Sequence, residues 1–142
     1  MKPELKNDWG SKDWTGKKVL IVDDAKIVRH AVKKVYTAAG MVIAGEAENG
    51  VQALDALAKQ MVDLVHLDII MPEMNGIDCM RIIFDKYPDL AVLVSSCLLE
   101  DRQVVARLEE EFTAVPFLSK PLTAEALHEL FNSNAQHFLQ SA

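Results

Sequence analysis

Apolar residues along this chain gather in five short runs, and four of the runs stop on polar side chains. Residues 19–22 (VLIV) stop at Asp23-Asp24, and residues 62–69 carry Asp68 near their end. Residues 91–94 give way to Ser95-Ser96, and residues 115–118 lead to Lys120-Pro121. The remaining run, residues 41–44, has no such ending. Apolar runs of this length read as strands buried on both faces. Between them the period changes to that of a helix. Residues 25–39 put Ile27, Val28, Ala31, Val32 and Val35 on one stripe, with Gly40 where a helix C-terminus is expected. Residues 50–60 repeat the pattern with Val51, Leu54 and Leu57. Further helices are predicted over 75–86 and 101–112, and Thr123 is placed to cap a last one over 124–139, with Glu125 in its first turn. Five strands alternating with five helices predict an α/β fold: a doubly wound parallel sheet with right-handed crossovers.

Composition narrows the picture without changing it. The chain has 142 residues, enough for one ordinary domain, and half of them are apolar. No apolar stretch approaches the length of a membrane span, and the N-terminus lacks the apolar core of a secretory signal. A net charge of −6 disfavours direct binding to nucleic acid. Cys79 and Cys97 have no metal-ligand spacing, so reduced thiols and a cytoplasmic location are expected. Residues 1–16 read as a flexible polar leader and residues 17–142 as the domain. Trp9 and Trp14 both fall in the leader. A solvated arm with its indoles resting on the domain surface is the preferred reading, and a docking arm for a partner is the alternative.

The chemistry lies in where the polar residues fall. In a sheet of order 2-1-3-4-5, strands one and three are neighbours at the switch point, and ligands bind outside the carboxyl ends of the strands. Asp23, Asp24, Asp68, the Ser95-Ser96 pair and Lys120 would then converge on one cleft. Two unit charges about 4 Å apart repel by roughly 4 kcal/mol at an effective dielectric near 20. Three carboxylates that close therefore need retained protons or a cation among them. Oxygen ligands in an open site suit Mg²⁺. A divalent cation, a lysine and a hydroxyl around one carboxylate are what a phosphoryl group in transfer requires, and the carboxylate itself can act as nucleophile.

Four segments carry a resemblance: VLIVDD at 19–24, LDIIMPEMNG at 67–76, VLVSS at 92–96 and FLSKP at 117–121. With these the chain resembles the response-regulator receiver domains of two-component signalling over residues 17–139. The resemblance implies a flavodoxin-like (βα)5 fold with Asp68 as phosphoacceptor. It implies that Asp24 binds Mg²⁺ directly, that Asp23 acts through water, and that the backbone carbonyl of Ile70 is a further ligand. Lys120 would meet a phosphoryl oxygen, the Lys120-Pro121 bond would be cis, and Phe117 would be a switch aromatic. The switch hydroxyl falls to Ser96 or Ser95, with Ser96 preferred.

The resemblance also implies a partner, either a sensor histidine kinase or a phosphotransfer protein. With no output domain read in the chain, the signal would leave by contact with a downstream protein or by homodimerisation through the fourth helix, fifth strand and fifth helix. Contact with nucleic acid or membrane is not expected, and neither is turnover as an enzyme. A metal-dependent phosphohydrolase is one alternative, disfavoured because Ile70 stands where such enzymes need a second acid. A scaffold acting without phosphorylation is another. His66, two residues before Asp68, is expected to be a packed, hydrogen-bonded residue rather than a ligand. Cys97 reads as a small buried hydrophobe, and the acidic run 109–111 as a solvated face.

Overall fold

The computed structural model describes Trp9 and residues 13–69, 76–96, 102–112 and 115–132. Its strands are β1 (Lys18–Val22), β2 (Val42–Ala47), β3 (Leu64–Leu67), β4 (Ala91–Ser96) and β5 (Phe117–Ser119). They form one parallel sheet in the order β2-β1-β3-β4-β5. The helices between them are α1 (Lys26–Ala38), α2 (Gly50–Lys59), α3 (Gly76–Lys86), α4 (Arg102–Glu111) and α5 (Ala124–Asn132). The chain steps one way from β1 to β2, then reverses to β3, β4 and β5. With right-handed crossovers that reversal puts helices on both faces. In keeping with this, α1 packs beside α5, and α2 beside α3.

Apolar sequence explains the core directly. Leu20, Ile21, Leu64, Val65, Leu93 and Val94 are fully buried in the three central strands. Each such side chain contributes about 1.5–3 kcal/mol relative to exposure. The expected caps are also present. Thr123 Oγ1 accepts from the Ala126 amide at 3.0 Å. Gly40, at φ +89°, closes α1: its amide donates to the Thr37 carbonyl at 3.0 Å and the Met41 amide to the Tyr36 carbonyl at 3.1 Å.

Three expectations are corrected. The buried stripe of α1 is Arg29, Val32 and Tyr36, whereas Ile27 is 81% exposed, so the helix is rotated from the purely apolar reading. The second strand runs to Ala47, beyond residue 44, because a bulge between Val19 and Leu20 pairs β1 onward through Gly45 and Glu46. The indoles do not rest on the surface. Trp9 and Trp14 are buried, 5.1 Å apart between ring centroids, and Trp14 stacks on Phe131 of α5 at 5.3 Å. Large aromatic faces gain from such mutual cover. Among the described residues no helix is long and apolar enough to cross a membrane. Residues 133–139 of the expected last helix, Ile70 and Cys97 lie outside the described residues.

Candidate functional site

The residues just past β1 and β3 are set by the sheet. The Asp68 amide donates to the Val22 carbonyl at 2.9 Å, and the Asp23 amide to the Ala47 carbonyl at 3.1 Å. Both acids are thus held at the carboxyl edge of the sheet, and both are buried, while Asp24 is exposed. One carboxylate oxygen from each of Asp23, Asp24 and Asp68 lies within 4.8 Å of the others. Lys120, which follows β5, closes the cluster. Its Nζ donates to Asp23 Oδ2 at 2.6 Å and to Asp68 Oδ2 at 3.2 Å. The Lys120-Pro121 peptide bond is cis, as the resemblance implied.

Electrostatics hold the lysine charged. Burial alone would lower its pKa, but the hydrogen bond to Asp23 and the charges of Asp68 and Asp23 outweigh that and hold it above the ordinary lysine value. Formally, three carboxylates face one ammonium, so the cluster carries an excess of negative charge that a divalent cation would offset. Hard oxygen donors, open on the Asp24 side, fit Mg²⁺.

Asp23 is held at every polar atom. Its Oδ1 accepts from the Ala25 amide at 2.9 Å, and its carbonyl accepts from Arg29 Nη1 at 2.7 Å. Arg29 also donates from Nε to Glu46 Oε1 at 3.0 Å. Sequence reasoning passed over this arginine. The available signal was its position three residues before Val32 and seven before Tyr36, on the buried stripe.

Ser95 is buried and shares a cavity of about 270 Å³ with Lys120, Val28 and Val32. Ser96 pairs through its backbone with Ser119 at the end of β4, and its side chain is outside the described residues. Phe117 is buried on β5 opposite Val94. His66 is packed as expected: its Nδ1 lies 2.7 Å from the Tyr36 hydroxyl, and the rings meet edge to face. Burial lowers its pKa to about 3, so it is neutral across the ordinary pH range. Burial also pushes the Tyr36 phenol well above its usual value.

The comparisons with known proteins agree with this geometry. The response regulator receiver domain matches residues 19–132. Chemotaxis protein CheY of Thermotoga maritima is 38% identical over 117 residues, covering 82% of this chain and 96% of that protein. A protein-glutamate methylesterase/protein-glutamine glutaminase of Archaeoglobus fulgidus is 38% identical over 105 residues, but these span 30% of its length, so the likeness is to one part of it. Among solved structures, the CheX-CheY-BeF3-Mg complex from Borrelia burgdorferi has a TM-score of 0.73 at 28% identity, covering 82% of this chain and 87% of that one. Sheet order, an acidic pocket facing one lysine, and these relatives converge: the chain belongs to the response-regulator receiver family of two-component signalling.

Proposed function

We propose that the protein is a phosphorylation-dependent switch whose phosphoacceptor is Asp68. The observation that carries this is the Lys120 ammonium bridging Asp23 and Asp68, with Asp24 within metal-holding distance. A sensor histidine kinase or phosphotransfer protein presents a phosphohistidine. A carboxylate oxygen of Asp68 attacks phosphorus, the P–N bond breaks, and its electron pair leaves with the imidazole nitrogen. Asp24, Asp68, the Ile70 carbonyl and, through water, Asp23 would hold Mg²⁺, which when bound would supply positive charge against the phosphoryl oxygens. Lys120 exchanges its carboxylate partner Asp68 for a phosphoryl oxygen. The hydroxyl of Ser96, or of Ser95, donates to another, and Phe117 responds in turn. Water later hydrolyses the acyl phosphate. Output passes by protein contact at the α4–β5–α5 face, to a downstream protein or a second copy.

Incubation with acetyl phosphate and Mg²⁺, read by intact mass, tests the assignment. Wild type is expected to gain one phosphoryl group, removable by EDTA-insensitive chemical hydrolysis at alkaline pH, and Asp68→Asn to gain none. A wild type that behaves like Asp68→Asn overturns it.

A further inference from the structure

We infer that Arg29 is a positioning residue for the metal-binding acids, acting through the Asp23–Asp24 peptide; this rests on the Mg²⁺ site proposed above. Arg29 is 6% exposed, and a buried guanidinium is tolerated only when its donors are matched. It makes hydrogen bonds to two neighbouring segments and a longer ion pair to a third residue. Nη1 meets the Asp23 carbonyl at 2.7 Å, Nε meets Glu46 Oε1 at 3.0 Å, and Nη2 lies 3.8 Å from Glu48 Oε1. Lys33 Nζ also reaches Glu46, at 2.8 Å, so the acceptor on β2 is itself held from α1.

The geometric consequence falls on Asp24. The Asp23 carbonyl and the Asp24 amide belong to one planar peptide unit. Fixing that carbonyl fixes the plane from which the exposed Asp24 carboxylate departs. The Ala25 amide bond to the Asp23 side chain turns the chain across this same peptide, and Lys120 and the Ala47 carbonyl hold the side chain and amide of Asp23; Arg29 is what meets the carbonyl itself. Arg29 therefore presets the angle between the two acids before a cation arrives. Such outer supports of a metal site govern affinity strongly.

Charge alone argues the opposite way, which makes the inference decisive to test. A cation near the cluster repels Mg²⁺, so deleting Arg29 would tighten metal binding if electrostatics ruled. If positioning rules, deletion weakens it. Calorimetric titration of the whole protein with MgCl₂ reads the difference. Arg29→Ala is expected to raise the Mg²⁺ dissociation constant by roughly ten-fold or more, and Arg29→Lys, which keeps one donor, to recover part of that loss. The rate of acetyl phosphate modification at saturating Mg²⁺ is expected to stay within about two-fold of wild type, with the loss confined to the Mg²⁺ half-saturation point. Unchanged or tighter Mg²⁺ binding in Arg29→Ala overturns the inference. If Arg29→Ala does not fold, Glu46→Ala and Arg29→Lys take its place: weaker binding in both supports the inference, and wild-type affinity in both overturns it. A wild type that binds no Mg²⁺ instead overturns the underlying site.

Discussion

His66 illustrates how a buried titratable residue ties this fold to pH. Folded His66 takes up a proton only near pH 3, whereas an unfolded chain does so near 6.5. Between those values the unfolded state binds the extra proton. The contribution is therefore fully favourable above about 6.5 and is lost as pH falls, by about 1.4 kcal/mol per pH unit for one proton. Glu46, whose pKa is lowered chiefly by its hydrogen bond to Lys33, is half protonated in the unfolded chain at its ordinary value of 4.5, so from pH 6.5 to about 5.5 its contribution is small beside that of the histidine. Urea midpoints across that range are expected to fall more steeply in wild type than in His66→Gln, which keeps a partner for Tyr36 and has no proton to gain. Parallel slopes would clear His66 of the effect.

At the level of elements, α2 shows how few residues define a helix start. Asn49 Oδ1 accepts from the Gln52 amide at 2.8 Å, and Gln52 Oε1 accepts in return from the Glu48 amide at 2.9 Å. Asn49→Ala removes one half of this reciprocal cap. It is expected to cost about 1 kcal/mol in chemical denaturation and to leave Mg²⁺ affinity unaltered, since α2 contributes nothing to the acidic cluster.

Element type was legible over the described residues because short continuous apolar runs and a 3.6-residue stripe separate cleanly here, and the four polar run-ends located the cluster. The errors have local causes. Gly45 and Glu46 conceal the second half of β2, because edge-strand pairing through a bulge needs no apolar run. Arg29 broke the stripe reading because its charge is satisfied by β2 and the β1 end, contacts that lie 17 and 6 residues away. The indoles looked solvent-bound because Phe131, their partner, lies at the far end of the chain.

For the molecule as a whole, the Mg²⁺ site proposed above would make stability depend on its ligand. Metal-free, Asp24 adds repulsion to Asp23 and Asp68, and a cation that binds only the folded state removes it. Magnesium at 100 times its dissociation constant is expected to stabilise the fold by about 2.7 kcal/mol, seen as a rise in Tm. Asp24→Asn is expected to lose that rise while melting no lower than wild type in EDTA. A full Mg²⁺ effect in Asp24→Asn would remove Asp24 from the ligand set.

The stacking of Trp9 and Trp14 on Phe131 has an optical consequence. Both indoles of the protein sit against α5 and are close enough to share their excited states. Tryptophan emission and the tryptophan bands of the near-ultraviolet dichroism therefore arise from one aromatic stack, at the seam between the start of the chain and its last described helix. A spectral change on phosphorylation would be a direct view of how α5 is seated, with no label attached.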